Sequence, residues 1–158
     1  MTRYTVTNWD SYLSIPWYVT ALTVTTNSCN EDSITAVDLS SFKFVRSVVI
    51  GNYCFKYVLA FSIVGLNWLE SVSISYESFG STGSLWEGSE FKIVNCPQLK
   101  SLYIGYRSFG RYNWFELSQL PQLKSVVMSS YQYSNYHGCF YNAGNAVFRG
   151  MNDGRDGL

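Results

Sequence analysis

One six-residue pattern returns along the chain in register, and no other feature constrains the fold as much. It reads VRSVVI at 45–50, LESVSI at 69–74, LKSLYI at 99–104 and LKSVVM at 123–128, with an earlier copy, VTALTV, at 19–24. The starts at 45, 69, 99 and 123 are 24, 30 and 24 residues apart. Ten residues after each start stands an apolar anchor: Cys29, Phe55, Phe79, Phe109 and Tyr133. A second pattern follows each first one, as FSIVGL at 61–66, FKIVNC at 91–96 and FELSQL at 115–120, with weaker copies VDLSSF at 37–42 and AVFRGM at 146–151. Self-similarity at a fixed period of this length is the signature of a stacked array.

Within each copy the apolar residues alternate, which fits a short strand with one face inward. The pattern therefore predicts a β-rich solenoid of about five coils, each of ~24 residues and each carrying two short parallel strands. A single coil cannot bury its own apolar face, so neighbours must stack. Stacking aligns Leu22, Val48, Val72, Leu102 and Val126 in one inner column. Val24, Ile50, Ile74, Ile104 and Met128 form the next, and Phe61, Phe91 and Phe115 an aromatic row on the opposite wall. The same alignment puts Cys29 in the anchor column and Cys96 in the column of Leu66 and Leu120, with Cys54 beside an anchor and Cys139 in a loop. That placement predicts free thiols. Residues 1–18 read as an aromatic-rich lead-in that caps the stack, 19–151 as the array, and 152–158 as a turn-rich, mobile tail.

Residues 19–29, VTALTVTTNSC, satisfy L-x-x-L-x-L-x-x-N-x-[LC] throughout. They resemble a leucine-rich repeat protein. Later copies carry Tyr53, Glu77, Arg107 and Tyr131 where the first has Asn27, and end on Phe or Tyr. That variant is similar to the BspA-like (treponemal) class and related arrays in protist proteins, over residues 13–151. The resemblance implies a concave parallel sheet, a role in protein or surface recognition, and an asparagine ladder that does not continue past Asn27. A right-handed parallel β-helix is the alternative architecture.

Charge is balanced, with Lys+Arg 11 and Asp+Glu 11. Binding nucleic acid by phosphate neutralisation needs a positive excess that this chain lacks. One histidine excludes a catalytic metal centre built on several, and no metal or cofactor is expected. The charges fall in columns: Arg46, Glu70, Lys100 and Lys124 share one position, and Glu77–Arg107 and Lys92–Glu116 repeat the arrangement of opposite signs on neighbouring coils. Such exposed pairs serve register more than stability. No apolar run has the length of a signal peptide or a membrane span, so a cytoplasmic protein without membrane contact is expected.

Two stretches, 80–90 and 133–145, lengthen their coils at what reads as the same phase, so they should project from one edge. With residues 110–114 they would gather Trp86, Tyr112, Trp114, Tyr136, His137 and Tyr141 along one rim, with Tyr103 facing outward on the strand surface. Tyr and Trp beside Ser, Gly and Asn is a composition suited to binding loops; the same aromatics could instead fold back and cap the core. Enzyme signatures are lacking: there is no G-x-x-x-x-G-K, no H-E-x-x-H and no G-x-S-x-G. A His137–Cys139 pair or Glu87 and Glu90 as paired carboxylates are the catalytic alternatives. The expected function is a non-enzymatic scaffold for a protein partner. Glycan binding by the rim is the alternative, and a carbohydrate-active β-helix enzyme comes third. The last coil is followed by no apparent cap, which raises the expectation of self-association.

Overall fold

Alternation of inward apolar and outward polar residues resolves into two parallel sheets, and after the first strand successive strands of the chain enter them in turn. The structure, a computed structural model, describes residues 1–80, 86–130, 138–140 and 143–151, with Trp86 described by its backbone. The first sheet holds β1 (Arg3–Val6), β2 (Ala21–Val24), β4 (Ser47–Ile50), β6 (Ser71–Ile74), β8 (Ser101–Ile104) and β10 (Ser125–Met128), side by side in that order. The second holds β3 (Ala36–Asp38), β5 (Ala60–Val64), β7 (Trp86–Val94), β9 (Tyr112–Leu120) and β11 (Asn145–Met151). In the first sheet Leu22, Val48, Val72, Leu102 and Val126 are register partners, as are Val24, Ile50, Ile74, Ile104 and Met128. The core lies between the sheets.

Two rows of phenylalanine fill it. Phe61 stacks on Phe91 at 5.3 Å and Phe91 on Phe115 at 5.1 Å. The anchors Phe55, Phe79 and Phe109 stack at 5.0 and 4.5 Å. The rows meet edge to face, Phe61 on Phe79 at 4.9 Å and Phe91 on Phe109 at 4.8 Å, the geometry ring quadrupoles favour. The fifth anchor corrects the sequence reading: Phe140 takes the place expected for Tyr133, which lies outside the described residues. Phe140 lies 4.8 Å from Phe109 with rings parallel to 1°, and its N–H donates to Ser108 O as the Phe109 N–H does to Ser78 O. The extra residues of that unit thus precede the anchor, whereas those after Phe79 follow one. The two insertions do not share a phase.

The lead-in contributes structure of its own. β1 pairs in register with β2. It leads into the short helix α1 (Trp9–Leu13), which Asn8 and Ser11 close with a capping box. Cys29 is too small to continue the anchor row, and Tyr12 from α1 reaches Phe55 edge-on at 6.2 Å in its place.

Hydrogen bonding between units runs through the residue before each anchor. Ser78 Oγ donates to Gly51 O at 2.9 Å and accepts from Cys54 N at 3.1 Å. Ser108 Oγ donates to Ser75 O at 2.8 Å and accepts from Ser78 N at 3.2 Å. Cys54 Sγ lies 3.1 Å from Thr25 O, and Cys139 Sγ 3.5 Å from Ile104 O. Asn27, the residue matched to the asparagine of the repeat, is exposed and outside this row. Cys139, expected in a loop, stands in it. The adjoining residues Asn27, Tyr53, Glu77 and Arg107 and the anchors beside them all take left-handed backbone, φ 55–59°. Second-pattern turns do the same at Gly65, Asn95, Gln119 and Gly150.

Two glycines mark close approach of backbones. A Cβ on Gly51 would lie 2.7 Å from Thr26 N, and one on Gly105 would lie closer still to Tyr76 N. Thr25, Ser75 and Ser129 occupy the same column and alternate with them.

Candidate functional site

The expected rim is only partly assembled. Tyr112 does not belong to it: the side chain is fully buried, packs edge-on against Phe109 at 4.9 Å, and donates its hydroxyl to Val58 O at 2.6 Å. Burial raises its pKa well above the ordinary tyrosine value. Tyr112 stands three residues before the inward Phe115, so strict alternation would turn it outward; it is buried where the pairing with the neighbouring strand breaks register between Trp86 and Glu90. Trp114 is half-buried on the same strand, and its indole N–H is buried without an acceptor among the described residues. The backbone of Trp86 pairs with Tyr112 ahead of a bulge at residues 86–90. Tyr103 is exposed on β8, in the other sheet, with its hydroxyl 3.4 Å from Ser129 Oγ. Tyr136, His137 and Tyr141 lie outside the described residues, so the His137–Cys139 pair does too.

Charge columns form as the spacing required, with one exception. Glu70 bridges Arg46 at 3.0 Å and Lys100 at 3.3 Å, and Arg107 meets Glu77 at 3.2 Å. Hydrogen bonds from Lys100 and Arg46 lower the Glu70 pKa. Lys92, expected to pair with Glu116 on the next strand, turns to Glu90 on its own strand at 2.7 Å, while Glu116 accepts from Ser118. Residues two apart on a strand share a face, so this partner was equally within reach.

All four cysteines are free. Burial pushes Cys29 up to about 12 and Cys139 up to about 11, and raises Cys54 and Cys96. These thiols are poor nucleophiles at neutral pH. Among the described residues no three of His, Cys, Asp and Glu gather as a metal would need. No helix there is long and apolar enough to cross a membrane.

An exposed aromatic ridge lies where the sequence reading did not look. Before each first-sheet strand the chain makes a tight turn, closed by Val19 N to Pro16 O at 3.0 Å, Val45 N to Phe42 O at 3.1 Å and Leu69 N to Leu66 O at 3.4 Å. Central residues of such a turn point away from the chain's own core. They are Trp17 and Tyr18 in the first, Phe44 in the second and Trp68 in the third, with Gln98 and Gln122 in later units. Trp17 is 68% exposed, Tyr18 50%, Phe44 46% and Trp68 51%. Trp17 contacts Tyr18 at 5.5 Å and Phe44 at 5.7 Å. Between Phe44 and Trp68 is a slot of about 240 Å3, floored by Thr20 and Arg46, whose guanidinium sits 5.3 Å from the Trp68 ring. The available signal was one aromatic at a fixed offset before three successive repeats.

A second concavity, of about 280 Å3, follows the left-handed turns at the other end of the same strands. Asn27, Tyr53 and Glu77 line it from successive units, with Asn30, Lys56, Gly80 and Arg111. Asn30 ties the wall together: its amide donates to Tyr53 O at 2.8 Å and to Asn27 Oδ1 at 3.2 Å, and its carbonyl accepts from Lys56 N at 2.9 Å.

Compared with families of known proteins, with curated proteins and with solved structures, the chain matches none of them significantly.

Proposed function

We propose that this chain is a non-enzymatic recognition scaffold of the leucine-rich repeat type, a β-rich solenoid that binds a protein partner. The observation that carries the reading is the ridge of Trp17, Tyr18, Phe44 and Trp68. Single exposed apolar residues are ordinary on a protein surface; four large aromatics on three successive turns, with an arginine against the last of them, are not. Trp, Tyr and Arg are the residues on which protein interfaces concentrate their binding energy. The ridge stops where Gln98 replaces the aromatic, so it spans three units, a defined patch and not a general property of the turn. Buried, protonated thiols agree with a role that asks no chemistry of them.

The test is affinity capture and mass spectrometry with wild type and a Trp17→Ala/Trp68→Ala variant side by side. Truncating one hot-spot aromatic costs about 2 kcal/mol or more. A partner held by wild type should therefore bind the variant at least roughly thirtyfold more weakly, while the unfolding midpoint moves by no more than a few degrees. An unchanged set of captured proteins would reject the ridge as the docking surface.

A further inference from the structure

Two residues after the exposed turn positions of the ridge runs a column of polar side chains: Thr20, Arg46, Glu70, Lys100 and Lys124. Backbone hydrogen bonds set them side by side: Arg46 N to Thr20 O at 2.7 Å, Glu70 N to Arg46 O at 2.7 Å, Lys100 N to Glu70 O at 2.9 Å and Lys124 N to Lys100 O at 3.0 Å. Three of the five are cations and one is a carboxylate. Glu70 is shared by Arg46 at 3.0 Å and Lys100 at 3.3 Å, so this trio keeps a net positive charge. Lys124 is exposed and meets no carboxylate among the described residues. In a chain of zero net charge this is a local excess, and such an excess favours an acidic occupant. Arg46 joins it to the ridge, since its side chain lines the slot between Phe44 and Trp68.

The rings set the shape of that occupant. Trp17 stands at 89° to Tyr18 and 59° to Phe44, so the ridge offers clefts between rings and no flat platform for a sugar chain. The slot of about 240 Å3 has the volume of on the order of eight water molecules, room for one apolar side chain. Neighbouring strands lie about 4.8 Å apart, which puts Lys100 and Lys124 roughly 7–12 Å along the stack from the slot. An extended chain advances about 3.3 Å per residue and covers that distance in about two to four residues. We infer that the ridge takes an extended acidic segment of a protein partner: a bulky apolar side chain enters the slot between Phe44 and Trp68, and Asp or Glu about two to four residues away faces Lys100 and Lys124. The inference rests on the ridge being a protein-docking surface, and adds the chemistry of what docks there.

The experiment is selection of a random peptide library, displayed on phage, against the immobilised chain, followed by binding measurements on the recovered sequences as synthetic peptides. Recovered sequences should share an apolar residue with Asp or Glu about two to four positions from it. Replacing those acids by Asn or Gln should weaken binding about three- to tenfold at low salt, chiefly by slowing association. Lys100→Gln/Lys124→Gln in the protein should cost about the same, and the two losses should not add, because they remove one interaction. Physiological salt should narrow both. Trp68→Ala should weaken acidic peptides and their neutral analogues alike, by at least roughly thirtyfold. Peptides without acids that still depend on Trp68 would overturn the acidic assignment and leave the ridge as a docking surface. Peptides indifferent to Trp68→Ala, or no enrichment, would overturn both. Trp68-dependent binding to phosphatidylserine vesicles with no peptide enriched would give the surface to a membrane and overturn both as well.

Discussion

Ser78 shows how one small side chain joins two units. Its hydroxyl donates a hydrogen bond to Gly51 O and accepts one from Cys54 N, both in the preceding unit, so removing it strands a part-buried acceptor and a buried donor together. Leaving such groups unsatisfied costs about 1–3 kcal/mol. Ser78→Ala should lower unfolding stability by that amount in urea titration. Ser78→Cys should lose less, because Cys54 and Cys139 already serve at equivalent positions. This row was legible in the sequence as Ser28, Cys54, Ser78, Ser108 and Cys139, one residue before each anchor. Two chemistries share the column, and its neighbour Asn27 matches a better-known motif, so attention falls one residue short. Left-handed backbone at Tyr53, Glu77 and Arg107 is harder to see, since none of these residues asks for it. The cavity that those turns shape was hidden for the same reason.

At the scale of the strand, period-two alternation and register act together. Ile74 is fully buried at the last position of β6, with Ile50 and Ile104 as its partners on either side. Ile74→Asp would place an unpaired charge between two sheets. It should cost more than about 4 kcal/mol, measured as loss of a cooperative thermal transition or a large fall in midpoint. Existence and pairing of the strands could be read directly, because every slip by one residue would turn the apolar set outward. Position of the inserted residues could not. Tyr133 and Phe140 are both aromatic, and only the stacking of Phe140 on Phe109 decides between them. Tyr112 misled for a related reason: a tyrosine beside glycine, arginine and asparagine looks like a loop residue, yet it begins a nine-residue strand.

Across the whole molecule, burial is uneven along the row of strands. β4, β6 and β8 are covered on both sides, whereas Val126 and Met128 of β10 and Phe148 of β11 are exposed at residues whose register partners in the preceding unit are buried. Stacked arrays derive much of their stability from contacts between neighbours. Hydrogen exchange of the native chain should therefore find the amides of β10 and β11 opening at lower free energy than those of β6 and β8. Self-association through this end would appear as protection of the same strands that rises with protein concentration. The joint between units has its own consequence. Gly51 and Gly105 let the backbone come within contact of the unit before, and the intervening units carry Ser75 and Ser129 there. Close joints thus alternate with side-chain-bearing ones. Copying one unit into the chain would set glycine beside glycine or serine beside serine at that column, whereas copying two in tandem would preserve the order. In this column, the smallest segment that could be duplicated without disturbing its neighbours is a pair.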